Sequence, residues 1–172
     1  VVCFVGSAQQ LEADIGLVYG GGGGTQCFET NGCGVHIHAG TSCENTEEQG
    51  GHWYNSETLT KDPWATIGYL STNAEGNGQY ASCIRTGFDV MSDPSLLEGH
   101  VFIIHGEDGA RVSCGQIVSQ ASPPTNYLTA ETIPIADDGD GNGGGEGTGV
   151  VSVISDLSPS VMDGVCYMGW AT

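Results

Sequence analysis

His36 and His38 stand two residues apart around an isoleucine in the stretch GVHIHAGTSC, and His52 follows in GGHWYN. A fourth imidazole, His105, closes the apolar run HVFIIH, which His100 opens. In a strand, alternate residues project to one face, which sets the rings of His36 and His38 side by side. The plainer alternative is ordinary histidines, solvent-facing or satisfied in a core, but His52 and His105 add two more donors of the same kind. Imidazole suits copper and zinc, and a four-nitrogen set with no thiolate favours Cu(II). The chemistry to look for is therefore that of a bound transition metal.

The elements that would position these side chains read as an all-β domain. Apolar runs are short, bounded by Gly, Asn, Asp and Pro, and long stripes of helical period are missing. VVCFV (1–5), LEADIGLVYG (11–20), the segment 35–38, ATIGYLST (65–72), QYASCIRTG (79–87), HVFIIH (100–105) and ARVSCGQIV (110–118) read as strands. GEDG joins the last two as a tight turn. They predict a Greek-key β-sandwich or barrel over residues 1–119.

Beyond it the composition changes. Residues 120–149, with ADDGDGNGGGEGTG, read as a Gly/Asp/Pro-rich linker, and residues 150–172 as a C-terminal strand pair, VVSVI and GVCYMGWA. An isolated hairpin is marginal in water, so these strands need a sheet edge in this molecule or in a neighbour. Within the linker, Asp138, Asp140 and Asn142 match the first half of a calcium loop, but position 12 is Gly149 and no flanking helices are evident. A solvated acidic linker is the better reading. Gly20 to Gly24 lack the Lys-Ser/Thr and helix of a phosphate loop.

Composition narrows the partners. The chain has 172 residues and 21 acidic side chains against three basic ones, Lys61, Arg85 and Arg111, for a formal charge of −18. Nucleic acid and acidic lipid surfaces are excluded as partners by that charge. No apolar run is long enough for a membrane helix. The chain starts at Val1 without an initiator methionine or signal peptide, which reads as a processed or trimmed end. Seven cysteines with no CxxC pair read as disulfides in an oxidising compartment, hence an extracellular protein. Cys27 and Cys33 could close a short loop; Cys3, Cys83 and Cys166 cannot be paired from spacing, and the odd count leaves one thiol free or bonded to another chain.

Three stretches, GVHIHAGTSC, GGHWYN and GHVFIIHGEDGARVSCGQI, resemble in order the signature segments of the copper/zinc superoxide dismutase family. The resemblance covers roughly residues 1–119. It implies a copper held by His36, His38, His52 and His105, an intrasubunit disulfide Cys43–Cys114, and Arg111 as the guide for the anion. It also implies superoxide as substrate, disproportionated to oxygen and peroxide, with His52 and Arg111 as the catalytic residues.

The departures sharpen the assignment. The loop after His52, WYNSETLTKDPWATIGYLSTNAEGNG, has no histidine, and only His100 remains in the chain, so a structural zinc site cannot be assembled. This looks like the copper-only extracellular branch of the family, whose domains often occur as tandem repeats. His52 then needs another partner on its outer nitrogen, with Asp62 and Glu57 as candidates. Trp53 and Tyr54 are expected to pack beside the site, and Trp64 to anchor the loop in the core. Trp170 and Met168 would insert into a hydrophobic groove.

The tail resembles the opening strands of another such domain. It fits a tandem repeat, or donation of strands to a neighbouring copy. Head-to-tail donation that does not close builds a filament. The alternative function is thus a structural subunit of an extracellular fibre, with a vestigial or stabilising metal site. Copper binding without turnover is a third possibility.

Overall fold

The computed structural model describes residues 1–16, 27–90, 92–119, 128–135 and 147–154. Eight strands follow in chain order: β1 (Val2–Gln9), β2 (Val35–His38), β3 (Gly78–Ile84), β4 (Val101–His105), β5 (Arg111–Gln116), β6 (Val118–Ser119), β7 (Leu128–Pro134) and β8 (Thr148–Ile154). A single helical turn, α1 (Thr46–Gln49), lies between β2 and β3. The sheet runs β2-β4-β5-β7-β8-β1-β3, with β6 paired to β7 and every pairing antiparallel. Isolated bridges from Gly68 to Gly34 and from Thr72 to Gly78 carry the 68–72 segment across the gap between β2 and β3. The result is a nearly closed all-β barrel, the class that the short apolar runs predict.

Alternation fills the barrel. Val2, Phe4 and Ala8 of β1 are buried while Val5 and Gln9 are not. Phe4 meets Phe102 edge-on at 5.7 Å and Tyr80 stacks over Phe102 at 5.7 Å. Trp64, fully buried, stacks on Phe4 at 6.1 Å and donates its indole N–H to the Trp53 carbonyl. It is the core anchor that the sequence suggests. β4 is buried at all five positions because both its faces are covered. Phe102 and Ile104 join the barrel core, while Val101 and Ile103 form a second cluster with Cys114, covered by Cys43 and Ile135.

Two expectations change in the second half of the chain. Residues 128–134, read as part of a linker, form β7, whose inward side chains are Leu128, Ala130 and Thr132. Small and polar residues on the buried face give little apolar signal, which is why the pattern passes for linker. The strand at 150–154, read as needing a sheet edge in this molecule or in a neighbour, takes the first course: it is inserted between β1 and β7 of this same sheet, with Phe4 and Leu128 both opposite Val153. Smaller changes occur at 11–16, which is turn rather than strand, with Leu11 and Ile15 buried, and at 65–72, where only the two bridges form. Residues 164–171, Cys166 and the calcium-like Asp138, Asp140 and Asn142 lie outside the described residues.

Three disulfides tie the barrel together: Cys3–Cys83 between paired positions of β1 and β3, Cys27–Cys33, and Cys43–Cys114. They fit an oxidising, extracellular setting. Among the described residues no helix is long and apolar enough to cross a membrane.

Candidate metal centre

The β2–β4 register puts His36 opposite Ile103 and His38 opposite Val101. Both histidines therefore share the face of the second cluster, outside the barrel core, where Val35 and Ile37 point inward. β4 continues to His105, but a bulge between Ile104 and His105 shifts the pairing so that His105 stands opposite Arg111. A bulge bends the strand and re-aims the side chain that follows it. His52 arrives from the loop after α1, bridged to His38 and fixed further by the Trp53 N–H on the Ile37 carbonyl.

The four rings converge. His36 lies 4.3 Å from His52 and 4.9 Å from His105, and His38 lies 4.9 Å from His52, centroid to centroid. Gly34 makes room for this packing, since a side chain there would collide with the imidazole of His36.

Each ring has one nitrogen committed to an acceptor. His36 Nε2 meets the Ile67 carbonyl at 2.9 Å, His38 Nδ1 the Gly50 carbonyl at 2.8 Å, and His105 Nδ1 the Gly109 carbonyl at 2.8 Å. His52 Nδ1 meets Asp62 Oδ2 at 2.6 Å. A carbonyl or carboxylate accepts, so these four nitrogens carry the protons. The opposite nitrogens, His36 Nδ1 and the Nε2 atoms of His38, His52 and His105, are buried without a partner. One ligand atom from each residue falls within 4.8 Å of every other.

Buried polar atoms without partners are costly and rare. Four of them from four residues, all lone pairs and all close to one another, make a group that could hold a single metal ion. Burial pushes His36 down to about 2, helped by repulsion from His105, His52 and His38. Burial also lowers His38 to about 2 and His105 to about 4, with Arg111 adding to both. Neutral imidazole is the ligand form, so the fold keeps the lone pairs ready.

Asp62, of the two carboxylates proposed for His52, is the one that binds it; its other oxygen accepts from the Trp64 N–H at 2.8 Å. Glu57 instead uses its backbone N–H on the Asn55 side chain. His100 is placed elsewhere, 5.2 Å from the ring of Trp53 and bonded to the Ala39 carbonyl. Trp53, expected to pack beside the site, turns its ring into the barrel core, stacked on Phe88 at 4.6 Å.

Arg111 is held beside the cluster by three acceptors. Nη1 donates to the Thr46 carbonyl at 3.0 Å and to Gln49 Oε1 at 2.9 Å, and Nη2 donates to the Gly50 carbonyl at 2.7 Å. α1 supplies this seat. Asn45 caps it by accepting from the Glu48 N–H, and Gly50 ends it at φ 68°, a left-handed conformation suited to glycine. Gln49, fully buried, is a site residue that the sequence does not announce. A lone glutamine before two glycines carries no pattern. Tyr69 is another, its hydroxyl donating to the His105 carbonyl at 3.0 Å. Cys43–Cys114 then fastens the loop that leads into α1 onto β5.

No protein-family model matches the chain, and no curated protein or solved structure matches it.

Proposed function

We propose that this chain is an extracellular copper-only superoxide dismutase-like domain. The observation that carries the reading is the set of four buried, unpartnered imidazole nitrogens facing one another, with a guanidinium seated next to them. His36, His38, His52 and His105 would hold the ion, and an all-nitrogen set without thiolate suits copper. Bound copper supplies one-electron chemistry that takes an electron from one superoxide and gives it to a second, turning two superoxides and two protons into dioxygen and hydrogen peroxide.

The protein's own contributions follow from the contacts. The three carbonyls and the Asp62 carboxylate fix each tautomer and ring plane before any ion arrives. Asp62, whose side chain is 33% exposed, links His52 Nδ1 to solvent and can hold or deliver a proton at that atom. Arg111 gives a fixed positive charge next to His105, a local attraction for a small anion in a chain of net charge −18. Since the whole molecule repels anions, capture depends on local charge such as that of Arg111, and the reaction should be slower than in a protein with a broad basic funnel.

The test is metal analysis of the purified, copper-loaded chain, copper electron paramagnetic resonance, and decay of pulsed superoxide on the same sample. The reading requires about one copper per chain, a tetragonal nitrogen signal and accelerated decay. Failure to take up copper overturns it. Copper uptake with no acceleration leaves a copper-binding domain without turnover.

A further inference from the structure

A second cleft lies away from the histidines, at the seam where the barrel nearly closes. Its volume is about 540 Å³, inside the range of roughly 300–1,000 Å³ usual for small-molecule sites. The end of β1 and the start of β3 form one wall, with Ser7 opposite Gln79 in register. The segment at Ser71 to Asn73, with Asn77, forms the other.

That second wall is built independently of any ligand. Asn73 and Asn77 close a turn through Asn73 N–H to the Asn77 carbonyl at 3.0 Å and Asn77 N–H to Asn73 Oδ1 at 2.8 Å. The bridge from Thr72 to Gly78 joins it to β3, and the Leu11 N–H on the Gly76 carbonyl joins it to the end of β1.

The lining has an unusual chemistry for this chain. Among the described residues that line it there is no Asp, Glu, Lys, Arg or His, and Ala8 is the one aliphatic residue. The side chains of Ser7, Gln9, Ser71, Asn77 and Gln79 line the cleft and have no hydrogen-bond partner among the described residues. Each amide offers two donors and an acceptor, and each hydroxyl offers both roles. Such a surface discriminates against ions of either sign. Among the described lining residues a cation finds no carboxylate, and an anion finds no positive charge in a molecule that repels it.

We propose that this cleft binds a neutral polyhydroxylated ligand, a short oligosaccharide, through its paired amides and hydroxyls. Adjacent sugar hydroxyls match the donor-and-acceptor pairs of Gln9, Asn77 and Gln79. With no aromatic ring to stack a sugar face, single-site affinity is weak, with Kd on the order of 1 mM. The inference is independent of the metal centre and does not require copper.

The test uses the full chain labelled with nitrogen-15, titrated separately with maltotriose, cellotriose and triacetylchitotriose up to about 20 mM, which saturates a millimolar site. Side-chain amide signals of Gln9, Asn77 and Gln79 are followed, and inorganic phosphate serves as the charged probe. The expected result is saturable shifts confined to the cleft with at least one sugar and none with phosphate. Q9A and Q79A, both at exposed strand positions, should keep the remaining spectrum and weaken binding by about fivefold or more, the loss of about one hydrogen bond. Absence of saturable shifts with all three sugars overturns the proposal. So does binding that survives both substitutions, maps elsewhere, or is matched by phosphate.

Discussion

His38 and Arg111 share one acceptor: the Gly50 carbonyl takes His38 Nδ1–H at 2.8 Å and Arg111 Nη2–H at 2.7 Å. The two residues come from β2 and β5, which are not neighbours in the sheet. A carbonyl at the end of one helical turn thus sets both a ring of the four-histidine group and the nearby cation. Disturbing that turn should move the two together, and replacing either side chain should leave the carbonyl half-satisfied.

Arg111→Lys tests the seat. Lysine keeps the charge but cannot reproduce the fork that reaches Gly50 on one arm and Thr46 with Gln49 on the other. Buried Gln49 would lose its donor, at about 1–3 kcal/mol. The expected outcome is a lower melting temperature in the metal-free chain and slower superoxide decay in the copper-loaded one. A salt slope shifted toward faster decay at higher salt in Arg111→Ala would show the loss of local attraction against the net charge of −18, while an unchanged salt slope would argue against an anion-guiding role.

Asp62→Ala removes the acceptor from His52 Nδ1 and also the cap on the Trp64 N–H. The His52 ring is then free to turn and to change tautomer. Loss of such an outer partner lowers metal affinity by about 10–100-fold. Competition with a chelator reads this directly. Glu57→Ala, which removes a side chain with no contact to His52, should leave affinity unchanged.

The pH dependence of the metal-free chain follows from burial. Folded-state values near 2 for His36, 2 for His38 and 4 for His105 lie below the ordinary 6.5. The unfolded chain takes up protons that the folded one refuses. Stability from these groups is present above pH 6.5 and is lost as pH falls toward the folded values. Three imidazoles together can remove as much as ~5 kcal/mol between pH 6.5 and 5. Thermal melts of metal-free protein at pH 7.5, 6 and 5 should show a steep fall. Staying above pH 5 keeps most carboxylates charged, so their titration does not mask the effect. A flat profile would mean that the rings are not held neutral by burial.

The legible parts of this molecule are those governed by period. The two-residue spacing of His36 and His38 is enough to put them on one face, and the fully apolar VFII of β4 marks a strand covered on both sides. Where the information lies in the partner strand, the sequence falls short. β7 buries Leu128, Ala130 and Thr132 while exposing Ile133, so its apolar residues do not outline its inner face. β8 has a clear strand pattern, but nothing local in Val150 to Ile154 says that β1 lies on one side and β7 on the other. The Cys3–Cys83 link depends on the β1–β3 register in the same way. Within the site, the choice of Asp62 over Glu57 depends on the path of a loop without periodic pattern. Gln49 could be recognised only once α1 was seen to end against Arg111.

Removing one disulfide separates stability from site geometry. Cys43–Cys114 spans 71 residues and anchors the loop entering α1 to the buried second cluster of Val101 and Ile103. Replacing both cysteines with alanine should destabilise the metal-free fold by about 2–5 kcal/mol, the usual cost of a native disulfide. It should also release the Gly50 carbonyl from its place between His38 and Arg111, so copper affinity falls as well. The Cys3–Cys83 pair makes the comparison decisive, because it joins β1 to β3 and has no contact with α1. Its double alanine variant should lower the melting temperature by a similar amount and leave the chelator competition unchanged. Equal loss of copper affinity in both variants would show that the effect comes from general loosening and not from the α1 seat.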